Sequence, residues 1–510
     1  MSLGLIHMAI DVDEPTRAAT RPADAAGDSP PPILLPGRNC WQMPNAHRAR
    51  VLIDSQVYFS ALEKSLSKAR RSIMILGWDF DGDIRLCPDG SENCDRRLGQ
   101  FLRDLVEREP LLEVRILVWS LAVVHAPSAP LPTLLGAPWE DHPRIQLRLD
   151  RQHPIYAAHH QKIVVVDDAV AYVGGIDLTV RRWDSCAHAE TDDRRRYLDD
   201  QHYGPVHDIQ MVVDGDAAAA VADLARARWH AATRETLPAQ FVDHDLWPEG
   251  LQPDFTDVPV GIARTMPALG EQPGVLEGAR LTRDALMAAR RTVYIEAQYL
   301  SSFVIGRVLV QRLSDPDGPE IIVVMTHKAR GWFEKLIMGF NRDRLVRRLK
   351  HADRYDRLRV LYPVVPGAKA DCDVHVHAKL LIIDDRMLRV GSSNLNNRSI
   401  GLDTECDLGV EAVTDQDRAR IVRLRHVLMA EHLGTTTEAV AEAEQREGSA
   451  RGAIARLSGG PRSLRPLEAM SSHGPMRQVF WTKLLDPARP LEPLWVRRRR
   501  RPRLSRRVTS

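Results

Sequence analysis

His160-Gln161-Lys162-Ile163-Val164-Val165-Val166-Asp167 is the stretch on which the reading turns, because its polar framework returns as His377-Ala378-Lys379 followed by Asp384. The Ile/Val run marks a buried strand. Residues two apart on a strand share a face, so His160 and Lys162 point the same way, as do His377 and Lys379. Asp167 and Asp384 fall on the opposite face. They are expected in structural ion pairs rather than against the imidazoles. A second element repeats as well: Ala69-Arg70-Arg71-Ser72-Ile73-Met74-Ile75 matches Ala289-Arg290-Arg291-Thr292-Val293-Tyr294-Ile295, offset by 220 residues, against 217 for the histidines. Same order and nearly equal spacing indicate two related halves.

The expected organisation is a flexible leader at 1–39, a first half at 40–235, a linker at 236–256, a second half at 257–436, and a C-terminal extension with an Arg-rich tail at 437–510. The leader is rich in Pro, Ala and Asp, and the linker in Pro and Asp. Within the first half, helix-like 60–71 precedes a strand at 73–76, with further strands at 113–119 and 145–149. The second half repeats this with a helix at 283–290 and strands at 293–295, 320–325 and 358–362. Short apolar runs between helical segments imply sheets covered on both faces. The fold class is therefore α/β. Two halves, each a mixed β-sheet flanked by helices, pack around a pseudo-twofold axis with one shared active site.

Composition narrows the function. The chain has 510 residues, 44% hydrophobic and 27% charged, ordinary for a globular protein. Net charge is +2, but eight Arg crowd the end (Arg497–Arg501, Arg503, Arg506, Arg507). Removing those eight from the 70 basic residues leaves 62 against 68 acidic ones. A mildly acidic body argues against a protein that coats nucleic acid. The six Cys include no Cys-x-x-Cys pair, so neither a disulfide scaffold nor a zinc framework is expected. The most hydrophobic stretch, 116–124, is far shorter than the roughly 20 residues of a membrane helix. No secretory signal is visible. A cytoplasmic protein is expected, soluble or peripheral at the membrane, and monomeric.

A His beside a Lys makes half of a phosphate site. The ammonium neutralises non-bridging oxygens, while the imidazole attacks phosphorus or moves a proton. A lone strand histidine is more often structural; two in register in a duplicated chain point to catalysis. Brought together about the axis, His160 and His377 would flank one phosphorus, one attacking and one protonating the leaving oxygen. No metal and no cofactor is expected, since no His, Asp and Glu cluster near the motifs has ligand spacing. Gly174-Gly175 follows the first motif, and Gly391-Ser392-Ser393-Asn394 the second. Small residues there would let backbone approach a phosphate. Asp177 and Asn394 occupy matching places, but only the amide can donate to phosphate oxygens, so the half-sites differ.

These motifs resemble the phospholipase D superfamily, whose signature is His-x-Lys-x4-Asp in duplicate. The resemblance runs from about residue 51 to about 413. His159-His160-Gln161-Lys162, Gly174-Gly175-Ile176-Asp177-Leu178, Arg182-Trp183-Asp184, Val206-His207-Asp208-Ile209, Tyr294-Ile295-Glu296-Ala297-Gln298-Tyr299 and Gly391-Ser392-Ser393-Asn394-Leu395-Asn396-Asn397-Arg398-Ser399 are similar to its phospholipid-cleaving branch. The resemblance implies a phosphohistidine on His160 and a general acid at His377. Asp208 and Glu405 would orient them, and Lys162, Lys379 and Asn394 would hold the phosphate. It implies a phospholipid substrate, with phosphatidic acid or a transphosphatidylation product. A cardiolipin-synthase-type phosphatidyltransferase is the alternative, then a nuclease; an inactive scaffold is disfavoured because both motifs are intact. Ala297 departs from the Asn of many relatives. Two segments suit a peripheral membrane contact: the aromatic stripe 332–340 and the Arg tail.

Overall fold

The computed structural model describes residues 30–88, 96–120, 137–154, 156–197, 201–327, 340–468 and 476. In the first half the spatial strand order is Ile145–Asp150, Glu113–Trp119, Ser72–Gly77, Ile163–Val166, Val170–Gly174, Ile209–Asp214, Asn45–Ile53. The first three pair in parallel and the rest antiparallel. The second half repeats the pattern: Leu358–Val365, Glu320–Met325 and Thr292–Ala297 are parallel, then Lys379–Ile383, Met387–Gly391 and Glu405–Glu411 are antiparallel. One strand, Phe255–Met266, joins them. Its start pairs with Asn45–Ile53 and its end with Glu405–Glu411.

Strand alternation assigns each side chain to one of two cores. Met74, Leu76, Ile163 and Val165 face inward, with Ile322, Val324, Leu380 and Ile382, into a core common to both halves. Helices Gly215–Thr233 and Asp415–Leu433 line that core. The alternate residues Ile73, Ile75, Val164 and Val166 face outward under helices Asp54–Ser67 and Leu98–Arg108. Ile321, Val323, Leu381 and Ile383 do the same under Glu277–Ala288 and Phe303–Ser314. With both faces covered, the strands read as continuous apolar runs rather than alternating ones.

The motif aspartates correct the ion-pair expectation. Asp167 accepts the backbone N–H groups of Arg70, Arg71 and Ser72 at 2.6–2.8 Å. Asp384 accepts those of Arg290, Arg291 and Thr292 at 2.7–2.9 Å. The two repeated sequence elements are thus bonded to each other. Each carboxylate ties the turn after its motif strand to the start of the neighbouring strand, where backbone donors would otherwise be orphaned.

The segment boundaries also differ from expectation. Residues 30–39 of the leader pack on the second half: Ile33 and Leu34 are buried, and their N–H groups bond to Glu411. The linker returns to the first half, where Leu246 and Trp247 enter its outer core. The extension supplies helices Thr437–Glu447 and Ala450–Leu457, whose Val440 and Ile454 join the shared core. Its strand Ser463–Pro466 pairs with Leu358–Val365. Composition marked these segments as polar; a few apolar residues suffice to seat them.

Replacing Asp384 with Ala strips three charge-assisted bonds from buried backbone. Hydrogen bonds to charged groups contribute about 1.5–3 kcal/mol each, so the variant should lose at least about 3 kcal/mol of stability. Urea unfolding checks this; an unchanged midpoint would show that the three bonds are not structural.

Candidate active site

Backbone pairing between the halves builds the site. His159 bridges Thr404 in parallel, and the N–H of His160 donates to the carbonyl of Thr404 at 3.1 Å. In the other half His375–Val376 pairs in parallel with Val206–His207, and the N–H of His377 donates to the carbonyl of His207 at 2.7 Å. Each histidine is therefore seated one residue from an acid of the opposite half. His160 Nδ1 lies 2.8 Å from Glu405 Oε2, and His377 Nδ1 lies 2.6 Å from Asp208 Oδ2. The bonds cross between halves, leaving both Nε2 atoms for chemistry. Sequence reasoning named both acids without their partners.

Lys162 and Lys379 are both buried, and they differ in company. Lys162 Nζ is 3.2 Å from Asp177 Oδ2 and donates to the His160 carbonyl at 3.1 Å. Lys379 has no such carboxylate; it donates to Gln298 Oε1 at 3.2 Å and to the His377 carbonyl. Asn394 is buried, and its Oδ1 has no hydrogen-bond partner. The asymmetry of Asp177 and Asn394 is thus an asymmetry in how far each ammonium is already neutralised.

Burial drives both imidazoles well below the usual histidine range, and Lys162 and Lys379 push each further down. Both shifts favour the neutral ring. Burial pulls Lys379 down to about 7. Burial also lifts Asp208, and lifts Glu405 to about 8. The hydroxyls of Ser392 and Ser399 oppose that rise by donating to Glu405, Ser399 at 2.7 Å. These serines and Gln298 lie in quoted motifs but carried no assigned role. Their spacing from the acids holds no periodic signal.

Gly174 and Gly175 are held to glycine by their protein neighbours. A Cβ on Gly175 would sit 2.2 Å from Asp208 Oδ1, and one on Gly174 would sit 2.5 Å from the Ile209 carbonyl. In the second half a Cβ on Gly391 would meet Asp407 Oδ1 at 2.0 Å. These glycines make room for the neighbouring strand and, at 175, for the carboxylate that orients His377. Away from the two motif histidines, Asp54, His188, His207 and Glu431 converge from distant segments, a grouping that spacing along the chain does not show. The aromatic stripe falls almost wholly, and the Arg tail entirely, outside the described residues.

A family profile described as Phospholipase D matches residues 357–452. Phospholipase D A of Dictyostelium discoideum is 22% identical over 427 residues, covering 69% of this chain and 32% of that one. Phospholipase D1 of Schizosaccharomyces pombe is 24% identical over 503 residues, covering 78% and 36%. The chain thus spans about a third of the length of these relatives. Among solved structures, phosphatidylserine synthase of Haemophilus influenzae Rd KW20 superposes with a TM-score of 0.54 at 13% identity, over 76% of this chain and 88% of that one. At that identity the likeness is one of fold.

Gly175→Ala tests the packing argument. The added methyl should displace the Asp208 carboxylate, releasing His377, and a misplacement on the order of 1 Å lowers turnover by about 100-fold. Gly204→Ala, where a Cβ meets nothing within 4 Å, is the control. Equal turnover by both variants would remove the role given to the Gly175–Asp208 contact.

Proposed function

The chain belongs to the phospholipase D superfamily, and from that premise we propose that it cleaves the head-group phosphodiester of a phospholipid through a phosphohistidine on His160. The crossed pairing of His160 with Glu405 and His377 with Asp208 carries this reading. A phosphodiester needs a nucleophile and an acid acting together, and two imidazoles, each held at Nδ1 by a carboxylate, suit those roles.

His160 is the nucleophile. Its side chain is 16% exposed against 7% for His377, so its Nε2 is the more open to an incoming phosphorus. With Nδ1–H donating to Glu405, the Nε2 lone pair forms the bond to phosphorus as the bond to the head-group oxygen breaks. His377 protonates that oxygen. Burial and the two lysines favour the neutral form of this ring; a phosphate anion would offset the lysines and let the ring hold its proton, which Asp208 stabilises. Lys162 and Lys379 gather the non-bridging oxygens, and Asn394 adds an amide donor. After the alcohol leaves, His377 is the base that takes a proton from the acceptor. Water then gives phosphatidic acid and free His160; an alcohol gives the phosphatidyl ester.

Phospholipid is favoured over nucleic acid by the acidic body of the chain and by the names of its relatives. Among the described residues no helix is long and apolar enough to cross a membrane. The substrate would therefore be met at a lipid surface.

His160→Ala and His377→Ala should each abolish hydrolysis of phosphatidylcholine vesicles with folding retained. Mass spectrometry of adducts kept at neutral to mildly alkaline pH, where the acid-labile P–N bond survives, should place the phosphatidyl group on His160; its recovery on His377 would reverse the roles. A few per cent of a short primary alcohol should divert product to the phosphatidyl-alcohol with retention at phosphorus. Inversion would sink the covalent mechanism.

A further inference from the structure

His207 immediately precedes Asp208, and its side chain turns away from the catalytic histidines into a second buried constellation. Its Nε2 bonds to Glu296 Oε2 at 2.7 Å. Glu296 is held in turn by Tyr294 Oη at 2.7 Å and His432 Nε2 at 2.9 Å. Nearby, His188 Nδ1 bonds to Asp184 Oδ2 at 2.9 Å, and Asp184 also accepts the N–H of Val206 at 2.8 Å. Each ring thus spends one nitrogen on a carboxylate. The other nitrogen of each, His207 Nδ1 and His188 Nε2, points into one small space.

Two carboxylates close that space. Glu431 Oε1 lies 2.9 Å from His207 Nδ1 and 3.0 Å from His188 Nε2. Asp54 Oδ1 lies 3.0 Å from His207 Nδ1, and Asp54 Oδ2 lies 3.4 Å from His188 Nε2. Asp54, His188 and His207 are buried, and the Glu431 side chain is only 8% exposed. His188 Nε2 hydrogen-bonds to Glu431 Oε1, yet His207 Nδ1 and Asp54 Oδ2 have no hydrogen-bond partner. Close polar atoms that fail to hydrogen-bond are what a shared central cation produces.

We propose that Asp54, His188, His207 and Glu431 form a structural site for a divalent transition metal of the zinc class. Tetrahedral zinc at about 2.0–2.1 Å from each ligand separates ligand atoms by roughly 3.3 Å, and the contacts here run from 2.9 to 3.4 Å. Two carboxylates and two neutral imidazoles balance a +2 ion, which a buried site requires. The outer bonds to Glu296 and Asp184 fix each ring's tautomer, as metal-bound histidines commonly need. Four protein ligands leave no open position, so the ion does not enter the phosphoryl chemistry. It binds the start of helix Asp54–Ser67, the His188 segment and strand Val206–His207 to helix Asp415–Leu433 of the other half. Asp54 N also donates to the Asp208 carbonyl at 2.9 Å. The metal therefore braces the backbone that carries Asp208.

Metal analysis of the full chain, expressed with zinc supplementation and freed of any affinity tag, reads this independently of catalysis. We expect about one zinc per chain, and X-ray absorption should show N/O ligands without sulfur. His188→Ala and Glu431→Gln should each lose the metal, whereas His432→Gln should keep it, because His432 bonds to Glu296 and packs against the His207 ring but supplies no ligand atom to the site. Wild-type protein below about a tenth of an equivalent of any divalent transition metal would overturn the site. Full metal retention in His188→Ala or Glu431→Gln would do the same. Should either variant fail to fold, wild-type stoichiometry and the absorption spectrum decide.

Discussion

An imidazole can attack or protonate from one ring nitrogen only while the other is held, and here each holder comes from the opposite half. Glu405 holds His160, and Asp208 holds His377. Neither half alone contains a positioned catalytic pair. That crossing explains why the halves share a core, a joining strand and two short parallel pairings that seat each histidine beside the other half's acid.

Electrostatics then separates the halves. Burial disfavours the charged form of both rings and crowds both lysines, a costly arrangement that an anion would relieve. Lys162 is offset by Asp177, while Lys379 leans on a neutral amide and is pulled down to about 7. A bound phosphate relieves that imbalance mainly on the second-half side. Near-identical motifs can therefore do different work because their neighbours differ, a carboxylate oxygen beside Lys162 against a neutral amide oxygen beside Lys379.

Much of this was legible in the chain. Short apolar runs and the duplication predict the α/β halves, because local pattern and burial coincide there, and the His–Lys pairs mark the candidate site. The partner of Asp167 was not legible, since backbone N–H groups leave no side-chain signature; the repeated Ala-Arg-Arg-Ser/Thr segment was the available clue. The crossed pairing joins residues 245 and 169 positions apart, beyond any spacing rule. The four residues around His207 come from four segments, so ligand spacing along the chain could not reveal them. Residues 30–39 and the extension misled through composition, which reports average polarity rather than the few apolar side chains that dock.

The central claim is that the halves trade their orienting acids, giving His160 its nucleophilicity through Glu405 and His377 its proton through Asp208. A rapid-mixing assay with a p-nitrophenyl phosphodiester tests it, because that leaving group needs little protonation and isolates attack by His160. Asp208→Asn should release a burst of nitrophenol stoichiometric with enzyme and then stall at the phosphohistidine. Glu405→Gln should show no burst at all. A burst in Glu405→Gln and none in Asp208→Asn would mean that each half orients its own histidine, and the account would fail.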